Sequence, residues 1–230
     1  MSKREISLDT ETTGLDPYQG DRLIEIGAIE LIDLMPTGKT YHQYINPQCL
    51  IKPDAEKVHG INNDFVADKP LFKDIAPEFM DFIGESPLVI HNAKFDMKFL
   101  DYELELNEFS KIKNTVIDTV VMARKKFPGS RVNLDALCKR FNIDNSNREL
   151  HGALIDADLL AQVYLELQGG KYYKLNLDDV RKKTLDKVVE VKREGELKER
   201  DISLPSKDDF ILHQKFLADK IKGSLWSKYI

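Results

Sequence analysis

Two carboxylates near the start of the chain, Asp9 and Glu11, could do chemistry together. They lie in residues 6–14, ISLDTETTG, an alternating run that predicts a β-strand. Residues two apart in a strand point to the same face, so both carboxylates share one side. Like charges this close favour a cation between them or a proton on one of them. Because Mg²⁺ and Mn²⁺ prefer carboxylate oxygens, the pair suggests a divalent metal site, with two merely solvated acids as the alternative.

Three residues farther along the chain could join this pair. Asp96 follows the apolar run 88–91, at the carboxyl end of a predicted buried strand, where open α/β sheets bind their ligands. His151 and Asp156 are five apart at the start of a predicted helix, so they do not share a helical face. They can still border one pocket if His151 lies on a loop that leads irregularly into the helix, a conformation that Gly152 permits. Each residue also has a purely structural alternative. Asp96 could be a charge that interacts with a helix dipole, Asp156 a solvated acid, and His151 a helix cap.

The elements that would position these residues predict an α/β fold. Three alternating runs joined by short turns indicate an antiparallel meander. Two short apolar runs then alternate with helical patterns, which indicates parallel strands within a mixed sheet flanked by helices. The predicted strands are 6–14, 22–32 and 40–45, with a turn at 35–38 before the third, followed by 88–91 and 116–117; the predicted helices are 54–61, 72–83, 93–106, 133–141, 151–168 and 210–225.

Length and composition bound the class of protein. A chain of 230 residues with 42% hydrophobic content suits one large domain with an appendage. No apolar run approaches the roughly 20 residues of a membrane helix, and no apolar signal region precedes the first strand, so we expect a cytoplasmic protein without a membrane partner. Cys49 and Cys138 fit no zinc spacing and no disulfide framework.

Charge and composition divide the chain into three predicted parts. Residues 1–170 form an acidic body, with 19 Lys and Arg against 28 Asp and Glu, which excludes a protein that coats nucleic acid through a basic face. Residues 171–209 are charge-rich and predict a linker. Residues 210–230 combine helical apolar spacing with Trp226, which predicts docking in a partner's groove; the alternative is that this helix folds back onto the body.

The ordered motifs resemble the DEDDh exonuclease family, which has RNase H-like architecture. The resemblance extends over residues 5–168 and implies an RNase H-like mixed sheet. It rests on DTETTG at 9–14, VHGI at 58–61, HNAKFD at 91–96, LDALC at 134–138 and HGALIDA at 151–157, the last with the H-x4-D spacing of the family.

The resemblance implies a site for hydrolysing phosphodiesters from a 3′ end. Two divalent ions, Mg²⁺ or Mn²⁺, would be held by four acids, and His151 would act as general base. The four implied metal ligands are Asp9, Glu11, Asp96 and Asp156, and the implied residues for the terminal nucleotide are Glu11, Thr12, Asp54 and His59. The family usually has a glutamate where this chain has Asp54, and Glu56 could substitute. His59 could instead be a structural histidine before Gly60.

Beyond the body, LP at 204–205, residues 209–222 with His213, and GSLW at 223–226 look like the tail of the epsilon subunits of bacterial DNA polymerase III, a proofreading family. This second resemblance implies contact with the polymerase alpha subunit through 210–230, and it raises a sliding-clamp contact through 171–177 and a small theta-like subunit as further partners. We expect the polymerase to supply most of the affinity for DNA, since the body has few cations. A stand-alone RNA exonuclease of the DEDDh family and an inactive scaffold subunit are the alternatives.

Overall fold

The computed structural model describes residues 2–146, 150–170 and 206–220. The chain divides into two compact units, Met1–Val180 and Arg181–Ile230. Only the last four residues of the predicted linker 171–209 lie within the described part, and the predicted clamp-binding stretch 171–177 lies wholly outside it. Among the described helices, none combines the length and the apolar character needed to cross a membrane.

The first unit is built on one five-stranded mixed sheet with the strand order β3-β2-β1-β4-β5. The antiparallel meander predicted for the first three strands is confirmed, and β1 pairs in parallel with β4, which pairs in parallel with β5. β1 is therefore the central strand, and it carries the first acidic pair. The strands are β1 Arg4–Thr12, β2 Leu23–Ile32, β3 Met35–Tyr44, β4 Leu88–Ile90 and β5 Val116–Asp118.

The turn between β2 and β3 lies two residues earlier than the sequence predicts. Asp33 and Leu34 form it with φ of 50° and 69°, the left-handed values that match the twist of a two-residue hairpin. The prediction of a turn at 35–38 rested on Pro36 and Gly38 and was wrong. Pro36 is tolerated inside β3 because β3 is an edge strand, where a missing N–H need not break a ladder.

Eight α-helices lie in the described residues. The predicted helices 72–83 and 93–106 are confirmed with the same bounds, whereas two short helices, α2 at Asn63–Val66 and α5 at Thr119–Lys126, were not predicted. Neither shows a periodic apolar pattern, although Asp118 caps α5 by accepting hydrogen bonds from the N–H groups of Val120 and Val121. The helices are α1 Pro53–His59, α2 Asn63–Val66, α3 Phe72–Ile83, α4 Ala93–Leu106, α5 Thr119–Lys126, α6 Leu134–Phe141, α7 Ala153–Leu167 and α8 Lys207–Lys220.

Apolar side chains cover both faces of the sheet. Ile6 and Leu8 of β1 pack in the cluster that also contains residues of α3 and α4. On the opposite face Ser7 donates a hydrogen bond to the Ala157 carbonyl of α7 at 2.7 Å. The odd-numbered residues of β1 therefore face α7, which is the face that Asp9 and Glu11 share.

Candidate active site

The five residues that the motifs single out line one cleft at the end of the sheet. Its volume is about 520 Å³. Asp9 and Glu11 come from β1, where Glu11 is buried and Asp9 is partly exposed. The structure thus brings together residues from the first strand, the middle of the chain and the last helix of the body. The predicted residues in this cleft are Asp9, Glu11, Asp96, His151 and Asp156.

Asp96 reaches the cleft from the first turn of α4, which begins directly after β4. The connection passes through Asn92 in a left-handed conformation, with φ 67° and ψ 51°. The Thr10 hydroxyl donates a hydrogen bond to Asp96 Oδ1 at 2.7 Å. Burial raises the pKa of Asp96 to about 7, the hydrogen bond from Thr10 opposes this rise, and the Asp118 carboxylate adds to it. Without a cation nearby, this carboxyl group is therefore poised to hold a proton near neutral pH.

His151 and Asp156 meet across the start of α7. His151 Nδ1 lies 3.2 Å from Asp156 Oδ2, and Asp156 is buried while His151 is partly exposed. His151 precedes the helix, and its backbone N–H donates to the Val58 carbonyl at 3.1 Å. Gly152 is the extended N-cap, with φ −152° and ψ 127°. The segment that leads into α7 is therefore irregular, as expected. It lets His151, before the helix, and Asp156, in its first turn, border one pocket.

Three of these residues are close enough to share one cation. Single ligand atoms of Glu11, His151 and Asp156 all lie within 4.8 Å of one another. Two carboxylates and an imidazole are donors that suit divalent ions such as Mn²⁺. Asp9 and Asp96 line the same cleft without belonging to this group of three. The donor set therefore fits a divalent metal, with further carboxylates around it.

Gly27 allows α7 to approach the acidic strand and was not recognised from the sequence. It is the cross-strand partner of Asp9 in the sheet. A Cβ atom at Gly27 would lie 2.2 Å from the backbone carbonyl carbon of Ala153, a distance that real structures essentially never show. The signal was present, since an isolated glycine inside a strand often marks a close approach of another backbone.

Glu25, the cross-strand partner of Glu11, anchors the same helix start. Its Oε2 accepts a hydrogen bond from the Ala153 N–H at 3.1 Å, and its Oε1 lies 2.7 Å from His42 Nε2. Glu25 is buried, so this carboxylate is held by partners instead of water. It fixes the backbone two residues after His151. No sequence signal distinguished Glu25 from the other acids of the meander.

A second, larger cleft adjoins the first and contains the predicted nucleotide residues. It has a volume of about 760 Å³, and Glu11, Leu15 and Phe95 line both clefts. The Thr12 hydroxyl donates to the Gly14 carbonyl at 2.6 Å, which shapes the loop after β1. Asp54 is exposed and paired with Lys57 at 3.0 Å. Thr12, Asp54 and His59 line this cleft, whereas Glu56, the suggested substitute for Asp54, is not among the lining residues.

His59 is the buried polar residue of this second cleft. Its Nδ1 accepts a hydrogen bond from the Ile61 N–H at 3.0 Å, so the proton of the neutral ring lies on Nε2. Nε2 is buried and has no hydrogen-bond partner among the described residues. Burial lowers the pKa of His59, while the Thr12 carbonyl and nearby carboxylates act in the opposite direction. The ring is therefore a neutral donor near the Thr12 carbonyl, and its Nε2 makes no well-formed hydrogen bond in the described part of the chain, which fits a ligand oxygen.

Known proteins with similar sequences bear on this site. An exonuclease family model matches residues 6–164. The chain is 49% identical to the DNA polymerase III subunit epsilon of Rickettsia felis over 225 residues, covering 96% of this chain and 98% of that protein. It is 50% identical to the DNA polymerase III subunit epsilon of Escherichia coli over 180 residues, covering 73% and 72%.

Solved structures show the same architecture. Exonuclease X in complex with 5′ overhanging duplex DNA has 28% sequence identity and a TM-score of 0.57, covering 72% of this chain and 90% of that one. The nuclease domain of 3′hExo, a DEDDh family member bound to rAMP, has 20% identity and a TM-score of 0.63, covering 73% and 94%. At 20% identity, the similarity to the 3′hExo nuclease domain shows a shared fold.

Proposed function

Because the chain belongs to the exonuclease family of DNA polymerase III epsilon subunits, we propose that its cleft removes mispaired 3′-terminal nucleotides from DNA during replication. The observation that carries this proposal is the convergence of Asp9, Glu11, Asp96, His151 and Asp156 in one cleft beside a second cleft. Exonucleases of the DEDDh type depend on divalent metals, and the donors in the cleft suit such ions.

We propose that four acids hold two ions, with Mg²⁺ or Mn²⁺ as the candidates. When bound, such ions activate a water and stabilise the leaving 3′ oxygen. The four proposed ligands are Asp9, Glu11, Asp96 and Asp156. The burial of Glu11, Asp96 and Asp156 supports the assignment, because clustered carboxylates removed from water need a compensating positive charge. Asp96 would give up its proton as the ions bind, since the cations favour its ionised form.

His151 is the proposed general base. Its partial exposure lets it pass a proton to solvent, as a general base must. The Asp156 carboxylate at 3.2 Å orients the ring. The backbone hydrogen bond to Val58 and the bond from Ala153 to Glu25 hold the segment on either side of His151. The base is thus positioned by contacts to β2 and α1, which reduces the reorganisation needed for proton transfer.

The terminal nucleotide is proposed to occupy the second cleft. His59 Nε2–H would donate to a nucleotide oxygen, while Thr12, Asp54 and Glu11 border the same space. A mismatched end separates from its template at lower cost than a matched one, by a few kcal/mol. A cleft that accepts only unpaired ends would then select mismatches without reading the bases.

Partners are proposed from the second unit and from the names of the relatives. The exposed apolar side chains of α8 support contact of 210–230 with the polymerase alpha subunit. A sliding-clamp contact through 171–177 and a theta-like subunit on the body stay predictions. An RNA exonuclease remains the second candidate, because the same five residues would serve it.

Incubation of the full chain and Mg²⁺ with a 3′-labelled single-stranded DNA oligonucleotide tests the proposal. We expect release of the labelled 3′-terminal nucleotide, little release with EDTA, and slow release by His151→Ala. A matched RNA oligonucleotide degraded faster than the DNA would contradict the assignment of DNA as substrate. Hydrolysis of neither strand by a folded, metal-loaded protein would favour an inactive scaffold.

A further inference from the structure

Positive charge in the acidic body is concentrated in one segment, residues 120–141. This segment has six Lys and Arg residues against a single Asp, whereas the rest of residues 1–170 has 13 against 27 acids. The segment comprises α5, α6 and the loop between them. Its six cations are Arg124, Lys125, Lys126, Arg131, Lys139 and Arg140, and all six are exposed.

These cations differ from the others of the body in their partners. Within residues 2–146, nine of the twelve Lys and Arg residues outside the segment form ion pairs with carboxylates, and none of the six inside it does. Lys126 bonds the carbonyls of Glu166 and Leu167 at the end of α7, and Arg140 lies 4.4 Å from the Phe127 ring centroid. In the described part of the chain, Arg124, Lys125, Arg131 and Lys139 form no ion pair with a carboxylate.

Both helices of the segment begin at the catalytic cleft. The Thr119 hydroxyl at the start of α5 lies 2.9 Å from Nδ1 of His91, which lines the cleft. Asn133 and Leu134 at the start of α6 line the cleft directly. At 1.5 Å per residue, Lys139 lies about 7.5 Å along the helix axis from Leu134. A DNA strand rises about 3.4 Å per nucleotide, so this distance along α6 corresponds to about two nucleotides.

We propose that Arg124, Lys125, Arg131 and Lys139 form a phosphate-binding surface for the DNA strand that enters the cleft. This proposal rests on the function proposed above and adds the route of the substrate. Cations beside a site whose own charge is negative would hold phosphates that the acidic cleft repels. The surface therefore contributes to KM for long substrates and leaves the chemical step unchanged.

Helix geometry offers a competing explanation. Cations in the last turn of a helix stabilise it through the helix dipole, and Lys125 and Lys139 both lie in last turns. If these lysines only stabilise their helices, their removal would lower the stability of the protein and would not change how KM depends on salt concentration. A phosphate contact would instead change the salt dependence, because each neutralised phosphate of a single strand releases counterions.

The test compares two pairs of lysines in the full chain. Lys125→Ala/Lys139→Ala removes two charges from the surface, and Lys73→Ala/Lys113→Ala removes two equally exposed, unpaired charges elsewhere. KM is measured with Mg²⁺ on a 20-nucleotide single strand across a salt series, and on a dinucleotide, which is too short to reach the surface.

We expect the first pair of changes to raise KM for the long strand about fivefold at low salt, with kcat and the dinucleotide unaffected. The slope of log KM against log salt should fall by about 1.4, at about 0.7 for each lost phosphate contact. The control pair should match the unmodified chain. Equal slopes in all three proteins would overturn the proposal, as would lost stability or lost polymerase binding with an unchanged slope.

Failure of the proposed function gives a different result. If the unmodified chain does not hydrolyse DNA, equilibrium binding of a labelled oligonucleotide in the same salt series still compares the three proteins. A smaller slope only for Lys125→Ala/Lys139→Ala supports the surface, and equal slopes overturn it.

Discussion

The acidic cleft and helix α8 differ in the kind of side chain that each one buries or exposes. In the cleft, the carboxylates of Glu11, Asp96 and Asp156 are buried, with side chains of other elements around them. In α8 all side chains from 207 to 216 are exposed, and they include four large apolar ones: Phe210, Ile211, Leu212 and Phe216 are between 48% and 65% exposed. The N-terminus of α8 is nevertheless capped, because Ser206 and Asp209 exchange the two hydrogen bonds of a capping box.

The difference supports a different kind of binding partner for each region. Burial of a carboxylate is costly unless a cation or a proton compensates its charge, which supports the ions proposed for the cleft. Exposed aromatic and aliphatic side chains on one helix support the protein partner proposed for α8. The two regions should therefore fail separately when mutated, and the following predictions test that separation.

Removal of one cleft carboxylate should have the largest effect. Asp156→Asn keeps the shape of the side chain and removes the charge, and we expect DNA hydrolysis to fall by about 1,000-fold or more, as for the loss of a group that stabilises charge in the transition state. Asp158→Asn, an exposed acid two residues later, is the matched control and should retain activity. Binding of the polymerase catalytic subunit should be equal in both variants. An active Asp156→Asn protein would remove this residue from the proposed metal site.

The metal-free protein should lose stability as pH rises. The pKa of Asp96 is raised from 3.8 to about 7 by burial, so between these values the folded state holds a proton that the unfolded state has lost. The stabilising contribution is full below about pH 4 and is lost as pH rises through about 7. A shift of this size corresponds to up to about 4 kcal/mol.

Thermal unfolding in EDTA measures this effect. Asp96→Asn, which cannot ionise, should flatten the decline of Tm between pH 4 and 7 and raise Tm at pH 7. Mg²⁺ should raise Tm of the unmodified protein above pH 7 and have little effect on Asp96→Asn. An unchanged pH dependence in the variant would show that another group controls the stability.

Shortening two aromatic side chains of α8 should affect only partner binding. Phe210→Ala/Phe216→Ala should weaken binding to the polymerase alpha subunit by about 30-fold or more, since an interface hot spot contributes about 2 kcal/mol. Hydrolysis of a single strand by the isolated protein should not change. Asp208→Ala/Lys215→Ala alters two exposed polar residues of the same helix and serves as the control. Equal affinities of the two variants would locate the contact elsewhere.

A smaller effect is expected from Gly27→Ala, which tests how α7 is positioned. The added Cβ would collide with the backbone of Ala153, so α7 must shift and His151 with it. We expect a loss of about 1–2 kcal/mol in the free energy of unfolding and a lower kcat. Gly152→Ala has open space and an ordinary backbone conformation, so its stability should change little. An equally stable and active Gly27→Ala would show that the close approach is not required.

Local sequence signals predicted much of the fold and the membership of the site. The period of two in β1 placed Asp9 and Glu11 on one face, and the bounds of the helices at 72–83 and 93–106 followed from their apolar spacing and flanking residues. These features depend on neighbours a few residues apart, which is the range over which periodicity carries information. The hairpin turn was misplaced because Pro36 and Gly38 are stronger local signals than Asp33 and Leu34.

The precise assembly of the site depends on contacts between distant parts of the chain. Glu25 bonds a backbone N–H 128 residues away, and Gly27 makes room for that same backbone. The unpartnered Nε2 of His59 is defined only once its surroundings are packed. The sequence by itself determined which groups can do the chemistry, and tertiary packing decided how far they are buried and which of them meet.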